Sequence, residues 1–271
     1  MPNFSHIFVI IFENKSYSDI FGNSNAPFFN LLAAQFGLAT RFYAVTHPSL
    51  PNYIALTAGS PYSITSDCTN CFLPVQNLAD QVEASRRTWR AYFESMPSPC
   101  YRGNSQGIAP LYAQKHNPFI YYDNIRNNPA RCANLVPLTN LDADLASGAY
   151  NLMWITPNMC NSMHDCSVAT GDKWLKQIAP KILSSDAFRN NGALFVLFDE
   201  GLTNAGCCTH ATGGQVFSIV ASPLAKRGFQ SANAYDHYSL LATIEDAWNL
   251  PRLQYAACPC TRTLGEFFSS Q

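Results

Sequence analysis

The sequence predicts an α/β fold with a mostly parallel central sheet and helices on both faces. Apolar residues recur in short, nearly unbroken blocks, at 7–12, 151–156, 193–198 and 215–221. Unbroken blocks, as opposed to alternating ones, are what strands buried on both faces require. Segments with helical periodicity fall between the blocks, the alternation of a covered parallel sheet. The length, 271 residues at 47% hydrophobic, supplies one large core and suits a single α/β domain over 1–271.

The elements follow in order. Residues 5–12 read as a buried strand. Residues 26–37 have helical spacing, with Pro27 at the start and Gly37 at the stop. Residues 42–50 read as a strand end and loop, and 51–58 as a helix closed by Gly59. A polar, cysteine-bearing loop occupies 59–76. Residues 77–87 form an amphipathic helix and 88–93 a strand. The stretch 95–140 is irregular and rich in Pro, Asn and Tyr, a long insertion of the kind that carries function. A strand at 151–156, a cysteine-bearing loop, a helix at 172–183, strands at 193–198 and 215–221, and a helix at 238–248 complete the chain.

Composition excludes several classes. Only 13% of residues are charged, and 17 Lys+Arg against 18 Asp+Glu leave a net charge of −1. There is no basic field for a nucleic-acid backbone. No apolar run approaches the roughly 18 residues of a membrane helix, so no integral membrane contact is expected. The ten cysteines, mostly among loop-forming residues, indicate disulfides and a secreted or periplasmic protein. Met1 leads almost directly into the first strand, so an export leader is expected to have been removed. The pairing is open. Adjacent Cys207 and Cys208 are expected to take different partners, and a Cys160–Cys166 bridge would stiffen the loop around His164. Zinc at Cys68-x-x-Cys71 is the rival reading, weakened by the lack of a second such pair at finger spacing.

In sheets of this kind, sites lie beyond the carboxyl ends of the strands. Those ends carry Glu13-Asn14, His47-Pro48-Ser49, Asn158 with His164-Asp165, Asp199-Glu200, and Asp236-His237. Core packing does not predict this succession. Carboxylates converging from two strand ends repel one another unless a cation stands between them. Hard oxygen ligands suit Mg²⁺, Ca²⁺ or Mn²⁺, and Zn²⁺ also accepts them. Ser49 precedes a helix whose N-terminal N–H groups suit phosphate, although an N-cap serine is the commoner use. His6, at the opposite end of its strand, reads as structural.

Six segments, in order, resemble a known family. Ile10-Ile11-Phe12-Glu13-Asn14-Lys15-Ser16-Tyr17 is similar to the opening motif of bacterial and fungal phosphoesterases that include acid phosphatases and phosphatidylcholine-type phospholipases C, within the alkaline phosphatase superfamily. Thr46-His47-Pro48-Ser49-Leu50-Pro51-Asn52-Tyr53 resembles their nucleophile segment. Residues 112–119, Thr156-Pro157-Asn158 with His164-Asp165, Phe198-Asp199-Glu200-Gly201, and Asp236-His237-Tyr238-Ser239 resemble four further family motifs.

The resemblance implies an alkaline-phosphatase-like fold and metal-dependent hydrolysis of phosphate esters through a phosphoserine. Ser49 would be the nucleophile. Glu13, Asn14, Ser49, Asp199 and Glu200 would hold a divalent cation (Ca, Mg, Mn or Zn). Asn52, His116, His164 and His237 would grip the phosphoryl group or protonate the leaving group. Ser162 stands where the family pattern has an acidic residue, which favours one metal over two. A secreted acid phosphatase acting on small-molecule phosphate esters leads. A phospholipase C or other phosphodiesterase, taking a phospholipid head group with help from the aromatic 92–122 stretch, comes second. A secreted cation-binding module is the non-enzymatic alternative. A sulfatase reading lacks its Cys-x-Pro-x-Arg context around Ser49.

Overall fold

The computed structural model describes residues 1–105 and 111–268, so residues 106–110 of the irregular insertion lie outside it. Eight strands form one sheet: β1 (His6–Phe12), β2 (Gly37–Tyr43), β3 (Trp89–Phe93), β4 (Leu135–Pro137), β5 (Leu152–Thr156), β6 (Gly192–Phe198), β7 (Gln215–Ala221) and β8 (Phe229–Asp236). Their spatial order is β4-β3-β5-β1-β6-β7-β2-β8. β1 is central, paired in parallel with β5 and β6, and its Ile7–Phe12 side chains are all fully buried. That double burial is why the block is uninterrupted.

Within the described residues, β7 alone runs against the rest, antiparallel to both β6 and β2. The sheet is therefore mostly parallel, as the apolar blocks require. Helices cover its faces, chiefly Pro27–Gln35, Ser49–Ala58, Leu78–Ala84, Val168–Ser184 and His237–Ala247. Every residue of the Ser49–Ala58 helix is buried, including the polar Ser49, Asn52 and Thr57. It ends at Gly59, where φ is +77° and an added Cβ would stand 2.4 Å from the Leu253 carbonyl oxygen.

Several expectations are corrected. Gly37 does not stop a helix; it opens β2. Its missing side chain admits the Phe267 ring, which an added Cβ would meet at 2.5 Å. β8 and the three-residue β4 went unread, because edge strands need no continuous apolar run. Asp236-His237 therefore ends β8, not the strand before it. All ten cysteines are paired, as 68–71, 100–132, 160–166, 207–208 and 258–260. Cys207 and Cys208 thus bond to each other, and the Cys68–Cys71 disulfide removes those thiols as zinc ligands.

Candidate active site

The carboxyl ends of β1, β2, β6 and β8 bring the candidate residues together. Asp199 follows β6 and is locked by its surroundings. Its N–H donates to the Phe12 carbonyl at 2.9 Å. Its Oδ1 accepts the N–H groups of Asn14 (3.0 Å) and Glu200 (2.7 Å). Asn14 can present that N–H because it adopts a left-handed φ of +51°, which Asn tolerates better than most residues. Glu13 follows β1 and is fully buried. Ser49, 1% exposed at the start of its helix, reaches Glu13 Oε2 at 3.2 Å and Glu200 Oε1 at 3.3 Å.

Burial, then the neighbouring Asp199 charge, pushes the Glu13 carboxyl well above its usual range. Burial likewise raises Asp199, against the pull of the hydrogen bonds it accepts. Glu200 is pushed up to about 7 by burial and by Asp199. Three carboxylates that all resist ionisation form a cluster short of positive charge. Within the described residues no group of three or more His, Cys, Asp and Glu side chains is preassembled to hold a metal ion. Asp199 Oδ2 and Asn14 Oδ1 are buried without a hydrogen-bond partner, and buried polar atoms are rarely left so. With Glu13, Glu200 and the Ser49 hydroxyl they make an all-oxygen set that fits a hard divalent cation.

The histidines occupy three different settings. The His116 ring stacks on Tyr53, centroids 5.5 Å apart. Its Nε2 is 3.2 Å from Glu13 Oε2, at an angle that leaves it without a hydrogen bond. Burial first, then Lys115 and His164, drives His116 well below its ordinary pKa, which favours the neutral imidazole. His164 lies 5.6 Å from His116, ring to ring. Its Nδ1 meets Asp165 at 2.6 Å and its Nε2 meets Lys115 Nζ at 3.3 Å. Those partners assign it the Nδ1–H tautomer. His237 is fully buried, its Nε2 bonded to the Asp199 carbonyl at 2.6 Å, and burial lowers it to about 4. It braces Asp199 from behind and leaves a buried Nδ1 unpartnered.

Asn52 was expected to hold a phosphoryl oxygen, but its amide is already spent. Oδ1 accepts from Val45 and Thr46 N–H, both at 3.0 Å, and Nδ2 donates to the carbonyls of Thr46 (2.7 Å) and Pro48 (3.1 Å). Asn52 therefore shapes the turn that presents Ser49. Four residues were given no role of their own by the sequence, although His47, Tyr53 and Lys115 lie within its motifs. His47 Nδ1 contacts Glu200 Oε2. The Tyr53 hydroxyl donates to Glu13 Oε1, a contact signalled by the four-residue spacing from Ser49 along one helix face. Lys115 adjoins His116 in the chain. Asp67, in a polar loop, gave no signal at all.

The model superposes on a protein of the alkaline phosphatase superfamily from Vibrio parahaemolyticus with a TM-score of 0.62. The two are 10% identical over 96% of this chain and 71% of that one, a likeness of fold alone. The Phosphoesterase family model matches residues 21–251, and the chain belongs to this family. The match begins after Glu13 and Asn14 and takes in every other candidate residue. An acid phosphatase of Aspergillus fumigatus is 32% identical over 92% of this chain and 56% of its own length. The chain thus spans little more than half of that relative. A phosphatidylinositol-3-phosphatase of Mycobacterium tuberculosis is 29% identical over 98% of this chain and 85% of its own length.

Proposed function

We propose that the chain is a secreted or periplasmic phosphatase that hydrolyses phosphate monoesters through a phosphoseryl intermediate on Ser49. The observation that carries this is a buried serine hydroxyl within 3.2 and 3.3 Å of two carboxylates from different strand ends. Relatives named as acid phosphatases support the substrate class. Five disulfides support export.

A divalent cation held by Glu13, Asn14, Ser49, Asp199 and Glu200 would neutralise phosphoryl charge and favour the Ser49 alkoxide. The residues of the chain supply the remaining steps. Ser49 passes its proton to Glu13 Oε2 or Glu200 Oε1, the two acceptors in reach. The Oγ–P bond forms as the bond from phosphorus to the leaving oxygen breaks. The departing alkoxide keeps that electron pair and takes up the proton that Ser49 gave to the carboxylate. Water then cleaves the Oγ–P bond, releasing phosphate and restoring Ser49. His116, neutral and with Nε2 unpartnered, donates from that nitrogen to a phosphoryl oxygen. His47, bonded to Glu200 and at 3.1 Å to the Thr203 carbonyl, fixes the Glu200 carboxylate.

A lipid leaving group finds less support. Tyr92, Phe93, Tyr112, Phe119, Tyr121 and Tyr122, six of the aromatics in the 92–122 stretch, are buried and form core instead of a lipid-facing surface. The test compares p-nitrophenyl phosphate with p-nitrophenyl phosphorylcholine, each with and without chelator. Chelator-sensitive turnover of the first, in excess of the second, is expected. Faster turnover of the choline diester would overturn the monoesterase reading. Full activity in chelator would overturn the role of the cation.

A further inference from the structure

Lys115 stands between elements that the site otherwise leaves unconnected. Its Nζ donates to Asp67 Oδ2 at 2.8 Å and lies 3.3 Å from His164 Nε2. The other Asp67 oxygen accepts the Leu50 N–H at 3.0 Å, in the first turn of the helix that Ser49 opens. Pro48 offers that helix no side-chain cap, so Asp67 caps it from a distant loop. One carboxylate thus ties the Lys115 ammonium to the residue beside Ser49. Lys115 is also within electrostatic reach of Glu13 and Asp199, and its side chain keeps 22% exposure. An ammonium has three N–H donors. Two of them are engaged here, by Asp67 and His164.

We propose that Lys115 donates its third N–H to a terminal oxygen of the phosphoryl group, and that Asp67 is the positioning residue that fixes it there. The inference rests on the phosphoesterase reading and narrows its substrate. A phosphate monoester presents three terminal oxygens and a diester two. A cation held by the oxygen cluster around Glu13 and Asp199 would take one, and the open Nε2 of His116 a second. Lys115 serves the third, which a diester has already esterified.

The test uses Lys115→Met, Lys115→Arg and Asp67→Asn in the full chain. It measures kcat and KM on p-nitrophenyl phosphate and bis(p-nitrophenyl) phosphate, and the Kd of inorganic phosphate by calorimetry. A charge-assisted hydrogen bond predicts that Lys115→Met weakens phosphate binding and raises the monoester KM by about tenfold or more, with the diester changed less than about threefold. Lys115→Arg recovers part of the phosphate affinity. Asp67→Asn keeps an acceptor for Leu50, loses the charge pair, and gives a smaller loss of the same sign. Equal losses on both esters, or an unchanged phosphate Kd, overturn the assignment. If Lys115→Met does not fold, an unchanged phosphate Kd in Asp67→Asn overturns it equally. A wild-type chain that binds phosphate through Lys115 yet cleaves neither ester refutes the enzymatic reading while upholding this one.

Discussion

The substitution Glu245→Gln removes one buried proton-binding group without changing side-chain size. Glu245 sits on the His237–Ala247 helix with no exposed surface. Its Oε1 accepts the Leu253 N–H at 2.9 Å, and its Oε2 is buried without a partner. Burial pushes it up to about 8, against the weaker pull of the Leu253 N–H and the Gln81 amide. Below pH ~4.5 both the folded and unfolded chains hold the proton, and the group contributes no pH dependence. Between pH ~4.5 and ~8 the folded chain holds it while the unfolded chain has released it, so stability falls as pH rises, by about 1.4 kcal/mol per pH unit. Above about 8 the loss is complete, on the order of 5 kcal/mol. The substituted amide cannot titrate, so the variant gains on the wild type across that window. Urea unfolding with disulfides intact, at intervals from pH 4 to 9, measures the difference. Wild-type and variant curves that stay parallel over the whole range would refute the buried-carboxyl account.

Ser49→Ala should fold as the wild type does and lose at least about a thousandfold in kcat, checked by thermal melts beside turnover; substantial residual hydrolysis removes Ser49 as nucleophile. Asn52→Ala strips partners from two N–H groups and two carbonyls around residues 45–48, and should lower unfolding free energy by about 3 kcal/mol in denaturant titrations. Tyr53→Phe takes from Glu13 a buried hydroxyl worth about 1.5–3 kcal/mol, so half-inactivation should need roughly tenfold or more less chelator than for the wild type.

The legible parts of this molecule are those where one physical cause dominates. β1 and β6 are buried on both faces, and nothing but apolar residues fits them. Glu13 and Asp199-Glu200 stood out because a carboxylate directly after such a run demands an explanation. β7 looked like its neighbours because direction leaves no mark on a buried strand's composition. β8, reading Phe-Gln-Ser-Ala-Asn-Ala-Tyr-Asp, is an edge strand whose polar residues match a loop as well as a strand. Cys207–Cys208 pairing depends on local backbone geometry, which spacing does not encode. Asn52 lay within a motif that marked its position but not the use of its amide. Asp67 and Lys115 are 48 residues apart, and only the tertiary fold makes them partners.

Register explains why strand ends were informative at all. β1 and β6 pair in parallel from His6↔Gly192 through Phe12↔Phe198 without a break. The next residue on each, Glu13 and Asp199, must then emerge side by side. β2 and β8 end together at Tyr43↔Asp236, which delivers the turn before Ser49 and the start of the His237 helix to that same end of the sheet. A one-residue slip of β1 would turn each of its side chains to the opposite face; Ile7–Phe12 are apolar throughout, so what opposes the slip is the close packing of both faces, which tolerates no exchange of side-chain shapes. The carboxylate cluster carries a desolvation cost that the isolated residues would relieve by moving apart. Parallel pairing denies them that freedom. The same burial that makes the core cohesive therefore holds Glu13 and Asp199 in mutual repulsion, a strain that a bound cation would relieve.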